Sequence, residues 1–193
     1  MPELTETDQA ALLQLARATI EARLRDRETV DRPESPSAAM TEPRACFVTL
    51  HKGGALRGCI GSLEPSRPLI DGVIENATNA AFQDPRFPPL SADELGTVDL
   101  EISVLTRPEP LTYTDGEDLK KKLKPGVHGV ILEKGWNRAT FLPQVWDQLP
   151  DPETFLTHLC QKARLSPDCW RSGDVDVKVY EVRHFSEPPP NQQ

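Results

Sequence analysis

Leu56-Arg57-Gly58-Cys59-Ile60-Gly61 is the stretch on which both the fold and the candidate site of this chain depend. It follows a glycine turn and is predicted to be a β-strand, whose successive side chains point to opposite faces of a sheet. Arg57 and Cys59 are therefore predicted to be neighbours on one face. Glycine has no side chain to pack in a strand, so Gly58 and Gly61 predict a bulge, a bend, or the close approach of a ligand or another backbone.

Two interpretations of Cys59 follow from this placement. A positive charge beside a thiol favours the thiolate, which is the form that attacks electrophiles and binds metals. Arg57 would then activate Cys59 as a nucleophile. Alternatively, Cys59 is a small buried apolar residue and Arg57 is a solvated charge, because free cysteine is among the most buried residue types.

The composition restricts the class of protein. With 193 residues, of which 37% are hydrophobic and 27% charged, the chain is expected to form one globular domain or two small lobes. Its formal net charge of −8 makes nucleic acid an unlikely partner, since phosphates require a basic face. Residues 1–6 lack the features of a signal peptide and no apolar run could cross a bilayer, so we expect a cytoplasmic protein without membrane association.

The cysteines and the motif inventory predict neither a metal nor a cofactor. The four cysteines are expected to be reduced in the cytoplasm, and none has a second cysteine at the short spacing typical of zinc knuckles. The sequence also has no glycine-rich phosphate loop, no G-x-S-x-G elbow and no H-E-x-x-H motif. Cys59 is therefore the main candidate for chemistry.

Hydrophobic periodicity and capping signals predict alternating helices and strands. Helices are predicted to begin near Thr5, Pro68, Ser91, Asp115 and Asp151. Strands are predicted over residues 46–50, 55–63, 98–105, 127–132, 138–142 and 175–179. Residues 26–44 are predicted to be a mobile surface loop, and residues 186–193 a proline-rich disordered tail.

The loop Asp84-Pro85-Arg86-Phe87-Pro88-Pro89 supplies further candidates. Its three prolines fix the backbone and exclude regular structure, so the loop is stiff and presents Asp84, Arg86 and Phe87. These three residues are candidates for contact with a substrate or partner. In the structural alternative, Asp84 forms a turn, Phe87 fills the core and Arg86 is solvated.

Glu101 and His128 are candidates on two predicted strands. Alternation in the 98–105 strand puts Glu101 on its polar face, where it is either a partner of Arg57, a general base, or a solvated carboxylate. His128 precedes a glycine at the start of a strand. It can act as a proton shuttle near neutral pH, or as a hydrogen-bonded structural residue.

The motifs taken together resemble a known family. Leu56–Gly61, the Asp84-x-Arg86-Phe87-Pro88-Pro89 loop, residues 100–105, His128-Gly129 and Thr140-Phe141-Leu142-Pro143 look like the AMMECR family, whose prokaryotic members are called AmmeMemoRadiSam system protein A. This resemblance implies one domain over residues 1–185, made of two interleaved lobes. It also implies a two-lobed α+β fold with antiparallel or mixed sheets flanked by helices, and the cysteine motif near the junction of the lobes.

The resemblance implies partners but no established reaction. The family name points to a pathway shared with Memo-like and radical SAM proteins. In a first hypothesis the chain is an enzyme or enzyme subunit with Cys59 as nucleophile or covalent carrier, aided by Arg57, His128 and Glu101. In a second it is a binding or adaptor module for a small molecule or peptide, in which Gly58 and Gly61 allow close approach and Cys59 is merely packed.

Overall fold

The computed structural model describes residues 2–27 and 29–188, which form two compact units. Unit 1 contains residues 2–105 and 183–188 of the described chain, and unit 2 contains residues 106–182. Each unit has a four-stranded sheet and a hydrophobic core of its own. The predicted α+β class is confirmed.

Unit 1 is built from four strands and three α-helices. Its elements are α1 (Glu6–Leu24), α2 (Ala38–Thr41), β1 (Cys46–Lys52), β2 (Ala55–Gly61), α3 (Leu69–Phe82), a 3₁₀ helix (Ala92–Thr97), β3 (Val98–Leu105) and β8 (Val182–Ser186), the first residue of which belongs to unit 2. The strand order is β2-β1-β3-β8, with β1 antiparallel to both β2 and β3. Gly53 and Gly54 close the β1–β2 hairpin with φ of +59° and +79°, as the glycine pair predicts.

The two faces of this sheet differ in polarity. Val48 and Leu50 of β1 and Leu100 of β3 belong to the hydrophobic core, which also contains residues of α1 and α3. Thr49 and Glu101 alternate with these core residues and therefore lie on the opposite face. The candidate cysteine is on the same face as Thr49, because the two residues pair across the hairpin.

The first helix, α1, has the N-terminal cap and the apolar face that its sequence predicts. Thr5 caps α1 by accepting a hydrogen bond from the backbone N–H of Asp8, and the Asp8 side chain accepts from the backbone N–H of Thr5 in return. Leu12, Ala16 and Ile20 then recur every four residues and are buried. The predicted helix and its capping box are confirmed.

Two predictions about irregular segments are wrong in part. Residues 26–44 include α2, which is regular because its apolar side chains Ala39 and Met40 are buried and Met40 belongs to the core of unit 1. The predicted disordered tail begins too early: Ser186 ends β8, and Glu187 bonds to both Arg17 and the backbone N–H of Leu100. The final five positions, 189–193, lie outside the described residues.

Unit 2 is built around a second sheet. Its elements are β4 (Glu109–Pro110), α4 (Gly116–Lys122), β5 (Gly129–Lys134), β6 (Asn137–Phe141), a 3₁₀ helix (Pro143–Asp147), α5 (Pro152–Lys162) and β7 (Asp176–Tyr180). The strand order is β4-β7-β5-β6, and neighbouring strands are antiparallel. Trp146 stacks on Phe155 with 3.6 Å between ring centroids, and Trp170 is fully buried.

The prediction that every cysteine is reduced is wrong for two of the four. Cys160 near the end of α5 and Cys169 in the following turn form a disulfide, with their Cα atoms 6.5 Å apart. Cys46 and Cys59 are free. Within residues 2–27 and 29–188, no helix is long and apolar enough to span a membrane.

Candidate functional site

A β-bulge in β2 changes the predicted relation between Arg57 and Cys59. Cys59 pairs with Thr49 and Gly58 with Leu50, but the next residue of β1, His51, pairs with Leu56. Arg57 is therefore an extra residue, and the strict alternation of side chains is broken at this point. The expectation that the Arg57 guanidinium and the thiol are neighbours by alternation alone does not hold.

The guanidinium of Arg57 pairs with Glu94 on the 3₁₀ helix before β3. Nε donates to Oε1 (3.3 Å) and Nη2 to Oε2 (2.9 Å), while Nζ of Lys52 also donates to Oε1 (2.9 Å). The hydrogen bonds from Arg57 and then Lys52 lower the pKa of Glu94 to about 2. The carboxylate partner of Arg57 is thus Glu94, so the alternative in which Glu101 pairs with Arg57 is wrong.

Glu94 is the site residue that sequence reasoning missed. Its spacing from Ser91 indicates a capping box, and the Ser91 backbone N–H does donate to Glu94 Oε2 at 3.4 Å. That local role gives no sign of the contact with Arg57, which lies 37 residues away in the sequence. Because the capping box fully explains Glu94 from its local sequence, the sequence gives no reason to expect its long-range contact with Arg57.

Asp84 fixes the backbone of the cysteine strand and the side chain of Arg86 together. Its carboxylate, which is only 2% exposed, accepts hydrogen bonds from the backbone N–H of Cys59 (2.9 Å) and from Nε and Nη2 of Arg86 (2.9 and 2.7 Å). The Arg86 side chain is the main reason that the pKa of Asp84 is held far below its usual range. Nη2 of Arg86 also donates to the Cys59 carbonyl at 3.2 Å. Asp84, Arg86 and the strand that carries Cys59 thus form one hydrogen-bonded network.

Arg86 is a second guanidinium close to Cys59, because its Nη2 reaches the Cys59 carbonyl. The hydrogen bonds to Asp84 are the main cause of the raised pKa of Arg86. The Arg86 side chain is 54% exposed, whereas Asp84 beneath it is buried. Arg86 therefore presents a permanent positive charge next to the backbone of Cys59.

The thiol itself is half-buried and has a hydroxyl partner. Thr49 Oγ donates a hydrogen bond to Cys59 Sγ at 3.3 Å. Thr49 also pairs with Glu101 of β3, so Cys59, Thr49 and Glu101 form one row across three adjacent strands. Glu101 is thereby on the face of the thiol, and Thr49 stands between them.

Phe87 contacts both guanidinium groups. The Cζ atoms of Arg57 and Arg86 lie 6.0 and 5.5 Å from its ring centroid, which is the distance range of cation–π contacts. Phe87 is half-buried, so its ring neither fills the hydrophobic core nor lies fully in solvent. It joins the Arg57–Glu94 pair to the Asp84–Arg86 pair.

The two glycines beside Cys59 allow close approach by protein atoms. A Cβ at Gly58 would lie 2.2 Å from the carbonyl oxygen of Ala80 in α3, and one at Gly61 would lie 2.3 Å from the ring of Phe47. The predicted close approach is present, and the partner is the protein's own backbone at Gly58 and the half-buried ring of Phe47 at Gly61. Contact with a ligand is not needed to explain either glycine.

His128 belongs to unit 2 and has a defined local environment there. Its Nδ1 accepts a hydrogen bond from the backbone N–H of Lys124 (3.3 Å), and its carbonyl accepts one from Trp146 Nε1 (2.7 Å). Burial, followed by the charge of Lys124, lowers the pKa of His128 below its ordinary 6.5. The imidazole is therefore neutral at pH 7, with its proton assigned to Nε2 by this hydrogen bond.

The other free cysteine, Cys46, is buried, whereas Cys59 is half-buried. It is 1% exposed, and burial raises the pKa of its thiol from 9.0 to about 11.

Among the described residues, no group of three or more His, Cys, Asp or Glu side chains has the arrangement of a metal site.

Comparisons with known proteins identify the family. The AMMECR1 family model matches residues 13–185. A protein of Methanothermobacter thermautotrophicus is 42% identical over 185 residues, covering 95% of this chain and 96% of the relative. A protein of Thermofilum pendens is 40% identical over 201 residues, covering 98% and 94%. The crystal structure of Uncharacterized Protein PH0010 from Pyrococcus horikoshii matches with a TM-score of 0.79 at 36% identity, covering 97% of this chain and 95% of that chain. The resemblance of the motifs is thus confirmed, and the chain belongs to the AMMECR1 family.

Proposed function

We propose that this protein is a cysteine-dependent enzyme or enzyme subunit, with Cys59 as nucleophile or covalent carrier. The observation that carries the proposal is the pair formed by a half-buried sulfur and the Thr49 hydroxyl that donates to it at 3.3 Å. A donor aimed at sulfur stabilises negative charge there. Asp84 meanwhile holds the Cys59 backbone N–H, so the nucleophile sits on a rigid strand.

The other candidates have separate roles in this proposal. Arg86 supplies the positive charge that was first expected from Arg57, because Arg86 donates to the Cys59 carbonyl whereas Arg57 is paired with Glu94. Glu101 is the proposed base, reached across Thr49 in the same row of the sheet. His128 lies in unit 2 and has no assigned part at Cys59; its imidazole, neutral at pH 7, is a separate candidate proton acceptor in that unit.

Selective alkylation tests the proposal in the folded protein. At pH 8, iodoacetamide is expected to modify Cys59 at least about 100-fold faster than Cys46, whose pKa of about 11 leaves about one thiolate in a thousand. Cys46 is an internal control in the same chain, and mass spectrometry of peptides distinguishes the two. Uniformly slow labelling of both thiols would refute the role of Cys59.

The hydroxyl of Thr49 provides a sharper test. Thr49→Val keeps the shape of the side chain and removes the donor, so alkylation of Cys59 should slow by about three- to tenfold, the equivalent of one hydrogen bond. Thr49→Ser keeps the donor and should preserve the rate. Equal rates in both variants would show that the hydroxyl does not influence the sulfur.

We also propose that the protein acts in the cytoplasm, in one pathway with Memo-like and radical SAM proteins. Membership of the AMMECR1 family supports this context. Affinity purification of the tagged chain against both purified proteins is the direct test. Absence of binding to either would count against a shared complex.

A second candidate function is a binding or adaptor module. The observation that favours it is the placement of Phe87 against two guanidiniums, one of them half-exposed, since exposed arginine and aromatic residues often anchor partners. In this version Cys59→Ser retains partner binding, whereas Arg86→Ala or Phe87→Ala removes it. Loss of binding in Cys59→Ser alone would favour the enzyme.

A further inference from the structure

The Asp84–Arg86 pair leaves one part of a guanidinium available for a ligand. Nε and Nη2 of Arg86 are held by Asp84, which fixes the plane of the group. The side chain is nonetheless 54% exposed. Arg86 is therefore a positioned cation on a half-exposed side chain, and its Nη1 group bonds to neither Asp84 nor Cys59.

Arg57 contributes a donor whose burial requires an explanation. The side chain is nine-tenths buried, Nε and Nη2 bond to Glu94, and Nη1 is buried with no hydrogen-bond partner in the described part of the chain. An unpaired buried donor of this kind is costly, and native structures contain few of them. Because Nη1 is closed to the surface, Arg57 acts on an anion outside through its charge and not through this atom.

The two arginines form one cluster around an aromatic ring. Both guanidiniums contact Phe87, and Arg86 reaches the Cys59 carbonyl. With Lys52, the cluster contains three cations against the two carboxylates of Asp84 and Glu94, an excess of one positive charge (3 − 2 = 1). Glu101 lies on the far side of Thr49 in the row. The thiol therefore has a cationic, partly aromatic side.

We propose that this cluster binds the anionic group of the substrate, so that Cys59 acts on small molecules that carry a carboxylate or phosphoryl group next to an electrophilic carbon. Guanidinium groups pair with the oxygens of both anions, and Phe87 supplies an apolar surface for the adjoining carbon skeleton. This inference rests on the proposed function, because it assigns the substrate class of the Cys59 site.

The ratio of two alkylation rates tests the inference. Iodoacetate and iodoacetamide both lose iodide to the thiolate as the C–S bond forms, but only iodoacetate carries a carboxylate. Relative to N-acetylcysteine, the ratio of the iodoacetate rate to the iodoacetamide rate at Cys59 should be raised about threefold to fivefold at low salt, as expected for one excess positive charge near the thiol. Raising the ionic strength from about 10 mM to about 500 mM should remove most of this preference.

Matched variants and competitors locate the effect. Arg86→Gln should lower the ratio and Arg86→Lys should retain part of it. Arg32→Gln, which removes an ion-paired arginine of similar exposure (56%) elsewhere in unit 1, should leave the ratio unchanged. Inorganic phosphate and acetate, compared at equal ionic strength, compete with iodoacetate, and the stronger competitor identifies the preferred anionic group.

The outcomes separate this inference from the proposed function. Rapid reaction with iodoacetamide, together with an iodoacetate ratio equal to that of N-acetylcysteine, overturns the anion site and leaves Cys59 as a nucleophile. Failure of Cys59 to react with iodoacetamide overturns both. The wild-type ratio and its salt dependence decide the question even where a variant does not fold.

Discussion

Replacement of Gly58 by alanine should disrupt the contact between β2 and α3. The added Cβ would lie 2.2 Å from the carbonyl oxygen of Ala80 and 3.2 Å from its carbonyl carbon. Both atoms belong to the backbone of a helix, so they cannot move aside as a flexible side chain would. Gly96 is the matched control, since a Cβ there meets nothing within 4 Å.

The size of the effect follows from the overlap. Ordinary contacts begin at 3.4 Å, so the strand and helix must separate by about 1.2 Å (3.4 − 2.2). Overpacking of this kind typically costs about 1–3 kcal/mol, and a clash with backbone belongs to the upper part of that range. The free energy of unfolding should fall by about 2–3 kcal/mol, which lowers Tm by about 4–12 °C in a chain of this length. Gly96→Ala should change the free energy by less than about 1 kcal/mol.

The assay must distinguish the two units. All three tryptophans, Trp136, Trp146 and Trp170, lie in unit 2, so their fluorescence follows that unit, whereas far-UV circular dichroism follows both. Gly58→Ala should shift the dichroism transition, and hydrogen exchange should become faster in β2. Equal Tm values for Gly58→Ala and Gly96→Ala would refute the steric reasoning.

Three further predictions concern the disulfide and two titrating groups. Reduction of Cys160–Cys169 with dithiothreitol should lower the free energy of unfolding of unit 2 by about 2–3 kcal/mol, as expected for a loop of this size, in urea titrations followed by tryptophan fluorescence; an unchanged midpoint would contradict it. The lowered pKa of His128 means that only the unfolded state takes up its proton just below pH 6.5, so stability should fall on acidification from that point, and His128→Gln should lose this contribution. Glu94, whose pKa falls from 4.5 to about 2 on folding, stabilises the protein above pH 4.5, and this stabilisation should disappear as the pH falls from 4.5 towards 2. Glu94→Gln should flatten that part of the stability profile, and an unchanged profile would exclude the ion pair as its cause.

Most of the fold could be predicted because its signals are local. The Thr5 cap, the stripe from Leu12 to Leu24, the Gly53-Gly54 turn and the alternation in 98–105 each fix an element without reference to distant residues. Strand β8 was missed because Val182–Ser186 includes arginine and histidine and is mostly exposed at a sheet edge. Edge strands lack the two-sided hydrophobic pattern that reveals a strand in sequence.

The candidate site was predicted only as a set of residue types. Arg57 and Cys59 were correctly singled out for the same strand, but the bulge could not be foreseen, because it depends on the register with β1. The partner of Arg57 could not be foreseen either, since Glu94 had a sufficient local role as a capping residue. Asp84 and Arg86 were found through their proline-rich loop, which limits the conformations available to them.

The position of β8 affects the order in which the chain can assemble during synthesis. The ribosome releases the whole of unit 2 before it releases Arg183–Ser186, yet that last strand is the neighbour of β3 in the first sheet. Until then the edge of β3 is uncovered, and Arg17 lacks the carboxylate of Glu187. Unit 1, which is synthesised first, is therefore completed last, and a released chain truncated after Val182 would expose a sheet edge prone to pairing with other chains.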